Sequence, residues 1–180
     1  MLQIIVPARD NFNELTGEFI TNKETTLQLE HSLISISKWE GKWCVPFLDK
    51  GDRTNEQMLD YIKCMTVTPN VPDEVFENLT KENIDAITKY IQSPMTATTF
   101  SKDKNSKSSR ERVTSELIYY WMVALNIPFE CQKWHINRLL TLIKICNLKN
   151  QPGKKMKNSE IYSQNNALNA ARRKALGTKG

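Results

Sequence analysis

The sequence predicts an α+β fold that is predominantly α-helical, with a short N-terminal β-hairpin packed on a helical bundle and a basic C-terminal helix. Apolar residues alternate in two segments near the N-terminus, recur at helical spacing in most segments between residues 32 and 150, and become sparse beyond Asn150. A chain of 180 residues can build one sizeable core. We therefore predict one core domain over residues 1–150 and a basic, weakly anchored helical tail over residues 151–180.

Two N-terminal segments predict the β-hairpin. Leu2 to Ala8 is rich in β-branched residues, and Thr25 to His31 places Leu27 and Leu29 at alternate positions, which is the period of a half-buried strand. These two strands can pair with each other across a long, polar connection. A candidate third strand is Met95 to Phe100, with the sequence MTATTF.

Three longer helices are predicted in the first hundred residues. Ser32 to Trp43 carries its large apolar residues on one helical face. Thr54 begins a second helix, because a glutamine three residues later completes a capping-box pattern, and Thr80 begins a third. Asp73 to Leu79 is expected to form one short helical piece. The apolar positions of the three longer helices are Leu33, Ile36, Trp39 and Trp43, then Met58, Leu59, Ile62 and Met65, and then Ile84, Ile87 and Ile91.

The stretch from Thr114 to Asn150 holds most of the large apolar side chains, and we expect the rest of the chain to be organised around it. It predicts two helices, because Asn126 suits the left-handed end of one helix and Pro128 the start of the next. Two helices joined by so short a turn are expected to pack as an αα-hairpin. Their apolar faces consist of Leu117, Ile118, Trp121, Met122 and Leu125, and of Ile136, Leu139, Leu140, Ile143 and Cys146 or Asn147.

Three aromatic residues in this stretch, Tyr119, Tyr120 and Trp134, fall outside the main apolar stripes. They have two interpretations. Buried aromatic residues usually belong to the core, so the N-terminal part of the chain could cover them. Alternatively, they form a protein-binding surface.

Two segments are too polar to form part of the core. Ser101 to Ser109, SKDKNSKSS, has no apolar residue and is predicted to be a mobile loop at residues 101–109. Lys149 to Gly180 contains eight basic residues and one acidic residue, which is more positive charge than the net +5 of the whole chain. The rest of the chain is therefore slightly acidic, and the C-terminal helix is basic.

No motif in the sequence predicts catalysis, a cofactor site or a metal site. The six glycines are scattered, so neither a P-loop nor a dinucleotide-binding turn is present. Cys131 and His135 lie four residues apart, as a metal pair or a nucleophile and its base would on a helix, but nothing nearby completes such a set. We expect a protein that is not an enzyme. The carboxylates are expected on solvated faces, among them Glu30, Glu40, Glu111, Glu116 and Glu130.

The cysteines and the apolar segments indicate the expected cellular location of the protein. The four cysteines lie far apart without a C-x-x-C pair, and Arg9 and Asp10 interrupt the N-terminal apolar run. We therefore expect reduced thiols in a cytosolic protein. The longest apolar stretch, Leu117 to Leu125, has about nine residues, whereas a bilayer requires roughly 20. No membrane partner is expected.

Five strings carry a resemblance to a known family. They are Thr25 to Trp43 (TTLQLEHSLISISKWEGKW), Glu56 to Thr66 (EQMLDYIKCMT), Met95 to Phe100 (MTATTF), Thr114 to Asn150, and Asn165 to Gly180 (NNALNAARRKALGTKG). With these strings the chain resembles the tail assembly chaperones of tailed bacteriophages, over nearly its full length. The block from Tyr119 to Lys144 is the most specific part of the resemblance.

The resemblance implies a role in viral morphogenesis in the host cell cytoplasm. Such chaperones bind the long, helical tape-measure protein and keep it soluble while tail-tube protein subunits polymerise around it, and they are absent from the mature virion. Many of them exist as a short form and as a longer, frameshifted form. The resemblance therefore implies tape-measure protein and tail-tube protein as partners.

The resemblance and the surplus aromatic residues together give a predicted contact surface. Self-association is a further candidate interaction, for which the sequence does not indicate a surface. The predicted partner-binding residues are the aromatic Tyr119, Tyr120, Trp121 and Trp134, and the basic Lys154, Lys155, Arg172 and Arg173, which would steer the partner electrostatically.

Two other classes of function stay open on sequence alone. A structural subunit of the virion, such as a connector or tail-completion protein, needs protein-binding surfaces of the same kind. A protein that binds nucleic acid without sequence preference would use the basic tail. No reading motif accompanies that charge, so nucleic acid is not the partner that we expect.

Overall fold

A computed structural model describes residues 1–13, 18–49, 51–100, 112–150 and 158–177. The chain divides into two compact units, Met1–Cys146 and Asn147–Gly180. The first unit has the predicted α+β composition, with more residues in helices than in strands. The unit boundary lies four residues before the boundary predicted at residues 150 and 151. The loop predicted at residues 101–109 lies outside the described residues.

The N-terminal hairpin is longer than predicted. Strand β1 (Leu2–Val6) pairs antiparallel with the later strand Thr25–Leu29, and β2 (Arg9–Asn13) pairs with β3 (Glu18–Asn22). Thr25–Leu29 is therefore β4. The two pairings share one register, because Val6 faces Thr25 and Arg9 faces Asn22. The break between them lies at Pro7, which has no N–H to donate to a partner strand. The polar connection predicted between the strands is thus partly strand itself.

The predicted alternation of β1 and β4 is confirmed. Ile4 and Val6 of β1 are buried together with Leu27 and Leu29 of β4, while the residues between them are exposed or half-buried. One face of this strand pair therefore covers the core, as a half-buried strand pattern requires.

Helix α1 (Leu33–Trp43) is the centre of the first unit. Ser32 and Ser35 form a capping box at its start, and Leu33, Ile36 and Trp39 are buried. It packs on α2 (Asn55–Met65), on the later helix Ser115–Ala124 and on the 3-10 helix Phe129–Lys133. Helix α1 thus packs against elements both near to it and distant from it in sequence, and residues 114–150 contribute Ile118, Met122, Ile136, Leu139 and Ile143 to the same core.

Helix α2 and the next two helices begin where the sequence predicts. The Thr54 capping box opens α2. A short α3 (Asp73–Glu77) follows, and the Thr80 hydroxyl accepts a hydrogen bond at the start of α4 (Lys81–Gln92). Helix α4 packs along β1, where the side-chain amide of Asn83 donates to the Ile5 carbonyl at 2.9 Å.

The predicted αα-hairpin is wrong, although the predicted break between the helices is confirmed. Helix α5 (Ser115–Ala124) packs on α1. The first residues of α6 (Ile136–Asn150) instead form hydrogen bonds with residues that precede α1 and follow α4. The Ile136 N–H donates to the His31 carbonyl at 2.7 Å, and the Asn137 amide donates to the carbonyl of Ser93 at 2.7 Å. Asn126 has the expected left-handed backbone, with φ of +52°. The 3-10 helix Phe129–Lys133 lies between α5 and α6, so a longer connection replaces the short turn that the hairpin requires.

Met95 to Phe100 is not a third strand. Met95 has a positive φ of +47°, and no residue from 95 to 100 pairs with a strand. The outer edge of β4 is already occupied, because the Val67 N–H donates to the Gln28 carbonyl at 2.8 Å. Helix α4 packs along β1 on the other side. High β propensity alone therefore does not make a strand of this segment.

The second unit contains the predicted basic C-terminal helix, α7 (Asn158–Leu176). Arg173 and Lys174 lie in its last turn, where positive charge is favourable, and Gly177 follows with φ of +64°. Every described side chain of α7 is exposed, including those of Tyr162, Leu168 and Leu176.

Candidate protein-binding surface

Helix α5 has one buried face and one exposed face that carries large apolar side chains. Ser115, Ile118 and Met122 are buried at helical spacing against the core. On the opposite face Tyr120 is 65% exposed and Val123 is 60% exposed. Residues three apart lie side by side on a helix. Tyr120 and Val123 therefore form one continuous apolar surface.

The 3-10 helix extends this surface. Phe129, its first residue, is 53% exposed, and the ring of Tyr119 lies against it with 6.4 Å between ring centroids. The Tyr119 hydroxyl donates to the Gln132 side chain at 2.9 Å, which fixes the tyrosine ring between the two helices. We call Tyr119, Tyr120, Val123 and Phe129 the α5 patch.

Two predicted aromatic residues lie apart from the α5 patch. Trp121 is half-buried and packs against the hydrophobic core. Trp134 is also half-buried, and the guanidinium of Arg138 lies 4.2 Å from its ring centroid, a cation–π contact. Tyr119, Trp121 and Trp134 are thus all half-buried against the core, whereas Tyr120 is exposed, and a role of Trp121 in partner binding stays a prediction. A contribution of Trp134 to binding stays a prediction.

Val123 and Phe129 belong to the patch but were not among the residues predicted from sequence. Val123 could have been found, because it lies three residues after Tyr120 on the same helical face. Phe129 gave no such signal, since the sequence predicted the start of an α-helix there. Its exposure follows from the 3-10 helix, whose tighter winding changes which side chains face the core.

The predicted basic residues are only partly described. Lys154 and Lys155 lie outside the described residues. Arg172 and Arg173 are exposed on α7, in the second unit. Electrostatic steering by these four residues stays a prediction.

A buried carboxylate holds the start of α5 in place. Glu40 of α1 is 7% exposed, and its two oxygens accept hydrogen bonds from the backbone N–H groups of Phe47 and Ser115, each at 2.7 Å. Charge-assisted hydrogen bonds of this kind are among the stronger ones in proteins. The expectation of a solvated face is therefore wrong for Glu40, which instead fixes α5, and with it the patch, on α1.

Two buried histidines form a second polar group in the core. His31 Nδ1 forms a hydrogen bond with the hydroxyl of Tyr61, and the rings of His31 and His135 lie edge to face with 4.9 Å between centroids. Burial, and then the proximity of His135, lower the pKa of His31 to about 3. Burial also lowers the pKa of His135. Both imidazoles are neutral at pH 7.

The partners of His135 show that it is structural. Its Nδ1 accepts from the Asn137 N–H at 3.3 Å, and its Nε2 lies 3.1 Å from the carbonyl of Tyr90. A neutral imidazole protonated on Nε2 satisfies both contacts. Since both ring nitrogens are occupied, neither can serve Cys131, so the two residues do not form the nucleophile and base that their spacing allowed.

A chain of polar contacts continues from Tyr90 to the N-terminus. The Tyr90 hydroxyl donates to one carboxylate oxygen of Glu30 at 2.6 Å, and the other oxygen lies 2.9 Å from the ammonium of Met1. Burial and the Glu30 carboxylate raise the pKa of the Tyr90 hydroxyl. Glu30 is thus half-buried and saturated with partners, so the expectation of a solvated face is wrong for this carboxylate too.

Within the described residues, no three His, Cys, Asp or Glu side chains are close enough to hold a metal ion together. No helix among the described segments is both long enough and apolar enough to cross a bilayer. Comparisons with protein-family models, with curated proteins and with solved structures give no match. The α5 patch and the sequence resemblance are therefore the observations from which a function can be argued.

Proposed function

We propose that this protein is a non-catalytic tail assembly chaperone of a tailed bacteriophage, which binds tape-measure protein and assists tail-tube polymerisation. The observation that carries the proposal is the α5 patch, in which Tyr120, Val123 and Phe129 are more than half exposed and the half-buried Tyr119 lies against Phe129. The resemblance of the sequence to such chaperones supplies the identity of the partner. The protein would act in the host cell cytoplasm.

The α5 patch suits an apolar stripe on a partner helix. An amphipathic helix binds by laying apolar side chains spaced three and four residues apart on a complementary surface. Tyrosine and phenylalanine bury large areas and lose little side-chain entropy, so they commonly dominate such contacts. The hydrogen bond of Tyr119 to Gln132 orders one ring before the partner arrives, which lowers the entropic cost of binding.

The patch can be weakened without damage to the core. Tyr120 and Phe129 are more than half exposed, whereas Ile118 and Met122 on the same segment are fully buried. A Tyr120→Ala and Phe129→Ala double variant should therefore keep the fold. Truncation of an aromatic anchor at the centre of an interface typically costs about 2 kcal/mol or more of binding energy.

The test is co-expression of the chain with the tape-measure protein of its phage, followed by affinity purification in about 0.5 M salt. At that salt concentration the screening length is only about 4 Å, so contacts that depend on charge alone are weakened. Tape-measure protein should be soluble and co-elute with the parent chain. The Tyr120→Ala and Phe129→Ala variant should recover at least about tenfold less of it.

The matched control removes two exposed apolar side chains elsewhere, with Val45→Ala and Ile84→Ala. This control should recover tape-measure protein as the parent does, and circular dichroism should show that both double variants are folded. A separate Trp134→Ala variant tests whether the second aromatic position contributes. Equal recovery with the patch variant and the parent would refute the use of the patch.

Mass spectrometry of purified phage particles distinguishes the chaperone from a structural virion subunit. A chaperone is absent from the finished particle, whereas a connector or tail-completion protein remains in fixed copy number. Detection of the chain in stoichiometric amounts would refute the chaperone role, even if the patch bound another tail protein.

A further inference from the structure

A groove of about 430 Å³ lies on the first unit, and no residue of α5 lines it. The first turns of α1 form one wall, with Ile34 and Lys38, and the end of α2 forms the other, with Met65 and the following Val67. The size falls within the range of known ligand sites. The remaining lining residues are Met1, Glu30, Ser32, Ser35, Cys64, Thr66 and Lys133.

The groove carries more positive than negative charge. The Met1 ammonium, Lys38 and Lys133 line it, against a single carboxylate, that of Glu30. Glu30 is already paired with the Met1 ammonium at 2.9 Å. Neither Lys38 nor Lys133 forms an ion pair with any residue that the structure describes. Two lysine charges are therefore free to meet an anion.

The other lining groups determine which anion fits. Ile34, Met65 and Val67 give the groove an apolar wall. The serine hydroxyls of Ser32 and Ser35 are engaged in the cap of α1. The groove thus offers two point charges beside an apolar surface, without an arginine fork or a cradle of free backbone N–H groups. Phosphate sites in proteins usually have one of those features.

We propose that this groove binds an acidic peptide segment of a partner protein, with carboxylates on Lys38 and Lys133 and an apolar side chain against Ile34 and Val67. A carboxylate needs only one lysine ammonium as a partner, and leucine or isoleucine beside it would cover the apolar wall. The proposal does not depend on the identity of the protein that supplies the segment. Its test is therefore independent of the test of the proposed chaperone function.

The 3-10 helix places the groove and the α5 patch in a fixed relation within the first unit. Phe129 of the patch is its first residue, and Lys133 of the groove is its last. A 3-10 helix rises about 2 Å per residue, so these two backbone positions are about 8 Å apart. A partner that covers the patch can reach the groove with a neighbouring acidic segment.

The experiment measures binding of a fluorescein-labelled peptide of alternating glutamate and leucine to the full chain, by fluorescence anisotropy. The parent should bind it saturably, and a Lys38→Gln and Lys133→Gln variant should bind at least about tenfold more weakly. A matched control, Lys81→Gln and Lys89→Gln, removes the same charge from the exposed surface of α4. This control should bind within about twofold of the parent, since it leaves the groove intact.

A second readout locates the bound peptide. In spectra of methyl-labelled protein, the Met65 and Val67 signals should shift on titration, whereas those of the buried Met122 on α5 should not. Three results would overturn the proposal: no saturable binding by the parent, an equal loss in the α4 control, or unmoved groove methyls. Displacement of the peptide by a single-stranded oligonucleotide, with tighter binding of the latter, would also overturn it in favour of a phosphate site.

Discussion

Acidification should destabilise this protein, because a neutral imidazole is buried in its core. His31 forms a hydrogen bond with Tyr61 and lies between the rings of Phe47 and His135. Burial lowers its pKa from 6.5 to about 3. The unfolded chain therefore takes up a proton as the pH falls below about 6.5, while the folded chain does not.

The size of the effect follows from the two pKa values of His31. In the unfolded chain the imidazole is about one quarter protonated at pH 7 and almost fully protonated at pH 5. In the folded chain it stays neutral over this range, since its pKa is about 3. The unfolding free energy should therefore fall by about 2 kcal/mol between pH 7 and pH 5 from this residue alone. The pKa of His135 is also lowered, so it contributes in the same direction.

Urea unfolding, followed by tryptophan fluorescence, to which the buried Trp39 contributes, measures this loss. With a slope of about 2 kcal/mol per M, the midpoint should fall by about 1 M between pH 7 and pH 5. The control is His31→Asn, which keeps an acceptor near the Tyr61 hydroxyl but cannot be protonated in this range. This variant should be less stable than the parent at pH 7, and its free energy of unfolding should fall less than that of the parent on acidification. A midpoint that is unchanged at pH 5, or a folded His31 that titrates near pH 6.5, would refute the reasoning.

Two further changes test the polar contacts that hold the helices. Glu40→Ala should lower the unfolding free energy by about 3 kcal/mol, because it leaves two buried backbone N–H groups without an acceptor; a loss below about 1 kcal/mol in urea unfolding would contradict this. Asn137→Ala should cost about 1 kcal/mol, since the carbonyl of Ser93 loses its donor. Hydrogen exchange should then be faster in the last turn of α4, and exchange unchanged there would contradict the assignment.

The local features of the fold were predictable from the sequence, because their causes are local. The alternation of Leu27 and Leu29 predicts the buried face of β4, and the side chain of Thr54 predicts the start of α2. Asn126 predicts the left-handed end of the α5 segment, where its φ is +52°. In each case the residue acts on backbone within a few positions of itself.

The packing partners were not predictable from the same patterns. The stripe of α1 and that of α5 each show that a helix is buried on one face, but a stripe does not specify what it packs against. Sequence adjacency favoured a hairpin of α5 and α6. The 3-10 helix at Phe129–Lys133 instead interrupts the connection, and α5 packs on α1, more than seventy residues earlier in the chain.

The buried polar groups were not predicted from the sequence, because their partners also lie far away in the chain. Glu40 meets the N–H of Ser115 seventy-five positions along the chain, and His31 meets Tyr61 thirty positions away. A charged residue at the edge of a helical stripe looks solvated unless its partner is known. Only the fold brings these donors and acceptors together, so no spacing rule could have identified them.

The groups that stabilise the fold are different residues from those that remain available for binding. Glu40 and His135 have both of their side-chain polar atoms hydrogen-bonded to other parts of the chain, and His31 Nδ1 is bonded to Tyr61, so these groups act within the fold. Tyr120 and Phe129 are more than half exposed. Substitutions in the first group should change stability and its pH dependence, and those in the second should change partner binding at constant stability. A variant of Tyr120 that unfolded like one of Glu40 would show that the patch is part of the core.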